Sequence, residues 1–260
     1  MSTAELRVLQ RRGAVALAGR EIWRVLGLWT QTILPAVLTA LLFLVIFGGA
    51  LAGRIHRIDG VRYVAFILPG LLVMTVAGQA TANSATSLFQ AKNEEYLEDV
   101  LTSPLRPSQL VGSYVAGSLM RALLAAFAIA VAVAPFTGGI NNLAVALVSL
   151  ALSGVIFSSL GVIAGIWADT FDQQSFIASI VITPLALLGG VFYSARSLGE
   201  PWSTLTRLDP IYYLVDATRG GFTGFHEGSV WLSLLVAALI AVIAFAAAGV
   251  LVARGWRLKP

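Results

Sequence analysis

Twenty-nine consecutive residues between Arg24 and Arg54 carry no charge. In a helix rising ~1.5 Å per residue, such a run outlasts the ~30 Å hydrocarbon core of a bilayer, and tilt absorbs the surplus. Four further charge-free windows follow: Tyr63 to Ala91, Ala122 to Ala168, Gln173 to Ala195 and Gly228 to Ala253. The window from Ala122 holds 47 residues, too many for one span, and Pro135-Phe136-Thr137-Gly138-Gly139 interrupts it with a turn signal. It therefore contains the end of one helix, begun near Ser108–Gly112, and the whole of the next. Six spans are expected, at 29–53, 63–91, 109–135, 142–168, 173–194 and 229–253. Hydrophobic residues make up 58% of the chain and charged residues 12%, against the ~25% charged share of soluble domains. That much apolar surface needs lipid as its solvent, which excludes disorder, coiled coil and a DNA-binding domain. The expected fold is an all-α polytopic membrane protein, one transmembrane domain over 1–260.

Six spans put both termini on one side. If that side is cytoplasmic, ten basic residues lie inside, among them Arg7, Arg11, Arg12, Lys92 and Arg254, and six lie outside; Arg121 falls within the third span. The bias favours cytoplasmic termini. The run after Arg24 is about twice the ~7–15 residues of a signal-peptide core, so it reads as a retained helix. Residues 1–28 place Arg7/Arg11 and Arg20/Arg24 at i,i+4 among Leu9, Leu17, Ile22, Trp23 and Leu26, the pattern of a helix lying in the membrane interface. Lysine supplies only two of 17 basic residues, a skew that accompanies GC-rich bacterial genomes.

The chain offers no enzyme signature. Neither lysine follows a phosphate-loop glycine pattern, there is no H-E-x-x-H, and His56 and His226 lie far apart. With no cysteine there is no disulfide or thiolate metal site. Asp169 and Asp172 form the only carboxylate pair at a spacing that could serve Mg²⁺, and a polar turn explains them more simply. All 13 acidic residues fall outside the expected spans, which argues against a proton-coupled carrier. Arg121, the one charge within a span, suits snorkelling or a structural hydrogen bond as well as a substrate role. No internal repeat supports an inverted-repeat transporter.

Three segments carry candidate function. Residues 92–104 read as a short amphipathic helix: Tyr96, Leu97, Val100 and Leu101 form an apolar face, Glu94, Glu95, Glu98 and Asp99 an acidic one, and Pro104 and Pro107 block continuation. Residues 200–221 read as a re-entrant hairpin. One short helix starts at Pro201-Trp202; a second has Asp209 as N-cap, Pro210 at its first position and Gly220 as its stop. It holds Tyr213, and Asp216 and Arg219 at i,i+3 are expected to pair. On the second span Thr75, Gln79, Asn83, Thr86 and Gln90 recur at intervals of 4, 4, 3 and 4, within an arc of about 80°. Amide side chains are too costly to face lipid, so this stripe reads as a solute path, joined by Ser175, Ser179 and Thr183 on the fifth span. Gly161-x-x-x-Gly165 reads as helix-packing glue.

These segments carry a resemblance. The acidic helix ending in Leu-Thr-Ser-Pro-Leu resembles the coupling region of ABC-2 type permeases, the membrane subunits of ATP-binding-cassette exporters. Leu205 to Arg219 is similar to that family's outer hairpin, and Arg57 to Gly70 to its approach to the second span. The resemblance covers essentially the whole chain and is nearest to drug-resistance and polyketide-export permeases. It implies a transporter subunit that is not itself an enzyme, in a bacterial cytoplasmic membrane. Two copies would sit on two ATPase subunits, which alone would carry ATP and Mg. The solute would be amphipathic: a drug, a lipid or a lipid-linked glycan. Glu94, Glu95, Tyr96, Leu97, Glu98, Asp99, Leu101 and Pro104 would couple to the ATPase, with Tyr96 and Leu97 as its apolar anchor; no nucleic acid is involved. A gradient-driven carrier or channel, and a membrane enzyme at Asp169/Asp172, stay open as alternatives.

Overall fold

The computed structural model describes residues 2–46, 57–94, 96–137, 139–177, 180 and 182–258. The chain opens with helix α1 (Thr3–Gly27), started by a capping box in which Ser2 and Glu5 bond each other's backbone amides. It turns by 64° at Leu28 into α2 (Trp29–Val45), a broken arrangement in which the pair passes for one span. A two-residue ladder, β1 (Arg57–Ile58) with β2 (Val61–Arg62), closes on Asp59 and Gly60, both at positive φ. Then come α3 (Tyr63–Asn93), α4 (Leu97–Thr102), α5 (Pro107–Thr137) and α6 (Leu143–Trp167), the last capped by the Asn142 side chain. Two short pieces follow, α7 (Phe171–Ile177) and α8 (Thr183–Leu188), then α9 (Trp202–Leu208), α10 (Pro210–Thr223) and α11 (Val230–Arg254).

Among the described residues four helices are long and apolar enough to cross a membrane, α3, α5, α6 and α11, and five if α1 and α2 form one bent span. The stretch expected as the fifth span, 173–194, carries α7 and α8, with Ile180 and Ile182 between them also helical. Residues 178, 179 and 181 lie outside the described part.

Helix α3 is the axis of the bundle: 72% of its most apolar window is buried, against 28% for α11. Lipid tails are as apolar as leucine, so helices in a membrane are held by close contact and hydrogen bonds rather than by the hydrophobic effect. Helix α6 meets that condition against α3. A Cβ on Gly161 would stand 2.5 Å from the Thr81 carbonyl oxygen, and one on Gly165 2.8 Å from that of Ala85. Thr81 Oγ1 donates to the Phe157 carbonyl at 3.1 Å. The glue expected of this glycine pair is what the structure shows. Outward, α11 presents Trp231, Leu235, Leu239, Val242 and Ile243, and α2 presents Leu34, Leu38, Leu42 and Val45.

One helix end differs from expectation. Gly220 does not stop α10; the helix runs on to Thr223 and ends at Gly224, which takes φ +75°. Gly221 serves close approach instead, since a Cβ there would lie 2.6 Å from the Ala146 amide nitrogen.

Candidate functional site

Three clusters hold the residues singled out above, and each is arranged differently from its sequence reading. The first is the α3–α4 corner. Lys92 and Asn93 complete α3, Glu94 follows it, and the helix proper spans only Leu97–Thr102; Glu95 lies outside the described residues. Leu97 is 2% exposed and packs with Leu88, Leu110, Val111 and Leu258. Tyr96 lies under the Arg20 guanidinium, 4.9 Å from ring centroid to Cζ, and burial pushes its hydroxyl pKa upward. Of the apolar face expected to anchor a partner, Leu97 is buried in the chain's own core, while Tyr96, Val100 and Leu101 are only half-covered. That face is the one packing favours, because Leu97 closes the end of the α3–α5–α6 bundle. Glu98, Asp99 and Pro104 are exposed, Glu94 likewise, and Leu101 is half-buried.

Beside this corner Lys92 Nζ donates to Asp169 Oδ1 at 2.8 Å, and Arg257 Nη2 pairs with Asp169 Oδ2. The Lys92 hydrogen bond, then Arg257, holds the Asp169 carboxyl below the usual range. Asp169 is therefore committed to two cations, and no group of three His, Cys, Asp or Glu among the described residues is placed to hold a metal.

The second cluster surrounds the polar stripe of α3. Asn83 is 1% exposed; its Nδ2 donates to Ser118 Oγ at 3.0 Å. Its Oδ1 accepts from Arg24 Nη2 at 3.2 Å and from Arg121 Nη1 at 3.4 Å. Arg121 Nε also donates to Gln79 Oε1 at 2.7 Å. Thr86 accepts from Gln174 Nε2 of α7 at 2.6 Å, which brings the second and fifth expected spans together. Ser175 is exposed and donates to the Phe171 carbonyl of its own helix at 3.2 Å. Ser179 lies outside the described residues, and Thr183 is exposed at the start of α8. Thr75 and Gln79 line a groove of about 280 Å³ between α2 and α3, floored by Leu71, Met74 and Ala40. Of the stripe only Asn83 is buried; Thr75, Gln79 and Thr86 are half-buried and Gln90 is exposed, and Gln79 and Asn83 are engaged by arginines.

Sequence reasoning missed Glu21. It is 1% exposed, 2.9 Å from both Arg20 Nη2 and Arg24 Nη2, and accepts from Ser87 Oγ at 2.5 Å. It packs at Gly117 of α5, where a Cβ would lie 2.5 Å from its own. A carboxylate outside every expected span is nonetheless buried between α1, α3 and α5. The signal was present: an acid between two arginines, on the face of α1 that carries Leu17 and Val25.

The third cluster is the α9–α10 hairpin. Asp209 caps α10, accepting from the Ile211 amide at 2.8 Å, ahead of Pro210. Pro201 is exposed ahead of α9, and Tyr213 meets Tyr212 edge-on at 5.4 Å. The expected Asp216–Arg219 pair is not made. Asp216 accepts from the Glu227 amide at 2.6 Å and from Ser233 Oγ at 3.1 Å. Arg219, 1% exposed, faces Glu227 Oε1 at 3.6 Å, donates to the Gly190 and Phe66 carbonyls at 2.7 and 3.3 Å, and stacks on the Phe66 ring at 3.7 Å. The chain folds back after α10, so a carboxylate eight residues on reaches Arg219 where the one at i−3 does not.

The sequence model of the family described as ABC-2 type transporter matches residues 13–223, which take in α4, the polar stripe of α3 and the α9–α10 hairpin. The inner membrane transport permease YadH of Escherichia coli strain K12 is 37% identical over 211 residues, 80% of this chain and 82% of that protein. Nodulation protein J of Rhizobium leguminosarum bv. viciae is 27% identical over 233 residues, 87% of this chain and 90% of its own. Nodulation protein J of Rhizobium meliloti is 27% identical over 239 residues, with 89% and 90% covered.

Proposed function

Because the chain belongs to the ABC-2 type transporter family, we propose that it is the membrane-spanning permease of an ATP-driven exporter in a bacterial cytoplasmic membrane. Two copies, or this chain and a close paralogue, enclose the path, and two separate ATPase subunits supply ATP hydrolysis, with the nucleotide and Mg on the partner. The termini are cytoplasmic, the α9–α10 hairpin enters from the outer face, and the solute is amphipathic: a drug, a lipid or a lipid-linked glycan. Thr75, Gln79, Asn83 and Thr86 belong to the path, with α7 and α8 beside them.

The observation that carries this reading is the α4 corner. A helix fixed to the bundle through Leu97 and Tyr96, with an acidic surface turned away from it, suits transmission of a partner's movement into α3. Coupling thus passes through Glu94, Glu98 and Asp99 outside and Leu97 within. A gradient-driven carrier needs a carboxylate that loads and unloads its ion; of the buried carboxylates, Glu21 is committed to Arg20, Arg24 and Ser87, Asp216 to the Glu227 amide and Ser233, Asp209 to the Ile211 amide and Glu227 to Arg219. Reversing two charges with Glu98→Lys and Asp99→Lys tests the assignment in membranes that contain both subunits. The permease should fold and insert normally while ATPase association falls by about tenfold, equivalent to ~1.4 kcal/mol, since charges at an interface edge mainly govern encounter. Unchanged association and unchanged ATP-dependent transport would remove the role.

A further inference from the structure

The polar cluster on α3 holds more positive charge than it neutralises. Arg20 and Arg24 share one carboxylate, Glu21, and Arg121 stands beside Arg24 at Asn83. Arg121 is bonded only to the neutral amides of Gln79 and Asn83, and no carboxylate pairs with it among the described residues. Arg24 and Arg121 donate to the same atom, Asn83 Oδ1, so two guanidiniums stand side by side around a single acceptor. Arg24 Nε is buried and has no acceptor at all. Like charges left in such a place are costly unless an anion joins them.

Next to this surplus the α2–α3 groove begins. Gln79, which receives Arg121, lines its polar end; beyond it the walls are Leu71, Met74, Ala40 and Phe43, all apolar. We propose that this is a binding site for an anionic membrane amphiphile. Its acyl chain lies in the groove between α2 and α3, and its phosphate-bearing head takes the free donors of Arg121 and Arg24. The depth of the groove in the membrane rests on the permease reading above, under which Arg24 lies on the cytoplasmic side and Phe43 beyond it. A lipid of the cytoplasmic leaflet then enters with head and tail in the right order.

The test uses the purified full chain in detergent, without nucleotide or ATPase, and counts retained lipid by native mass spectrometry after exposure to dioleoyl phosphatidylglycerol or dioleoyl phosphatidylcholine. The wild type should retain the anionic lipid about tenfold better, the step expected of one charge-assisted contact. Arg121→Gln should bring the two lipids to parity, and Arg121→Lys should keep the preference. Thr39→Trp, which fills the groove and leaves every charge in place, should lose the bound lipid. It also keeps the proposal testable if Arg121→Gln fails to fold. Parity in the wild type overturns the site. So does equal competition by inorganic phosphate at the same concentration, which would mean an anion site without a tail. If Thr39→Trp instead dissociates a dimer and leaves lipid retention unchanged, a second copy occupies the groove and the proposal fails. Because no ATPase is present, each of these failures leaves the transport reading standing, while loss of ATPase association leaves lipid retention intact.

Discussion

Arg219 ties four pieces of chain together. Its own helix α10, the Phe66 turn of α3, the backbone at Gly190 and the segment before α11 all meet at one guanidinium. Removing one member of a buried pair leaves an uncompensated charge, typically at a cost of ~3–5 kcal/mol. Glu227→Ala should therefore lower the thermal unfolding midpoint of the detergent-solubilised chain markedly, because Glu227 also accepts from the Ala195 amide. Glu200→Ala should do little, since that carboxylate is exposed and bonds only Ser203 and Thr204 of its own turn. Equal midpoints for the two variants would contradict this role for Glu227. At this scale the sequence was legible in part. That Asp216 and Arg219 need partners follows from charges set in an apolar segment; which partners they find depends on a chain reversal that no local spacing encodes. Glu21 escaped for a related reason. Its place between two arginines on the Leu17–Val25 face of α1 signals a partnered acid, but that the face lies against α5 is set by tertiary packing.

Helix α4 shows the same division among elements. The two faces of residues 92–104 could be read from the order of apolar and acidic side chains, but their destinations could not. An apolar face has one period whether it meets its own bundle or a partner, and it is packing with Leu88 and Val111 that puts Leu97 in the bundle. Leu97→Ser is accordingly expected to lower the stability of the isolated permease by ~2–4 kcal/mol, through lost packing and a buried hydroxyl. Size-exclusion after heating the permease alone checks this; an unaltered melting point would return Leu97 to the outer surface. The glycines of α10 carry the complementary lesson. Gly220 and Gly221 look like a stop because glycine ends helices, yet the same missing Cβ also permits contact with Val230 and Ala146. Only the position of α6 separates those meanings.

Over the whole molecule, charge-free windows located α3, α5, α6 and α11, since a bilayer imposes length and polarity on any segment that crosses it. The 64° bend at Leu28 falls where the expected interfacial segment 1–28 meets the first expected span. The amides of the α3 stripe were legible as needing polar partners, but their engagement by Arg24 and Arg121 requires α1 and α5 in place. The central claim is that the acidic surface of α4 meets a nucleotide-binding subunit on the cytoplasmic side. A photo-crosslinking amino acid in place of Asp99 tests it most directly, with the same substitution at Trp231, exposed on α11, as the comparison. Illumination of native membranes should join position 99, and not position 231, to a protein bearing a phosphate-loop ATPase sequence. Capture of no such protein at position 99, in membranes where the chain still transports, would contradict the account.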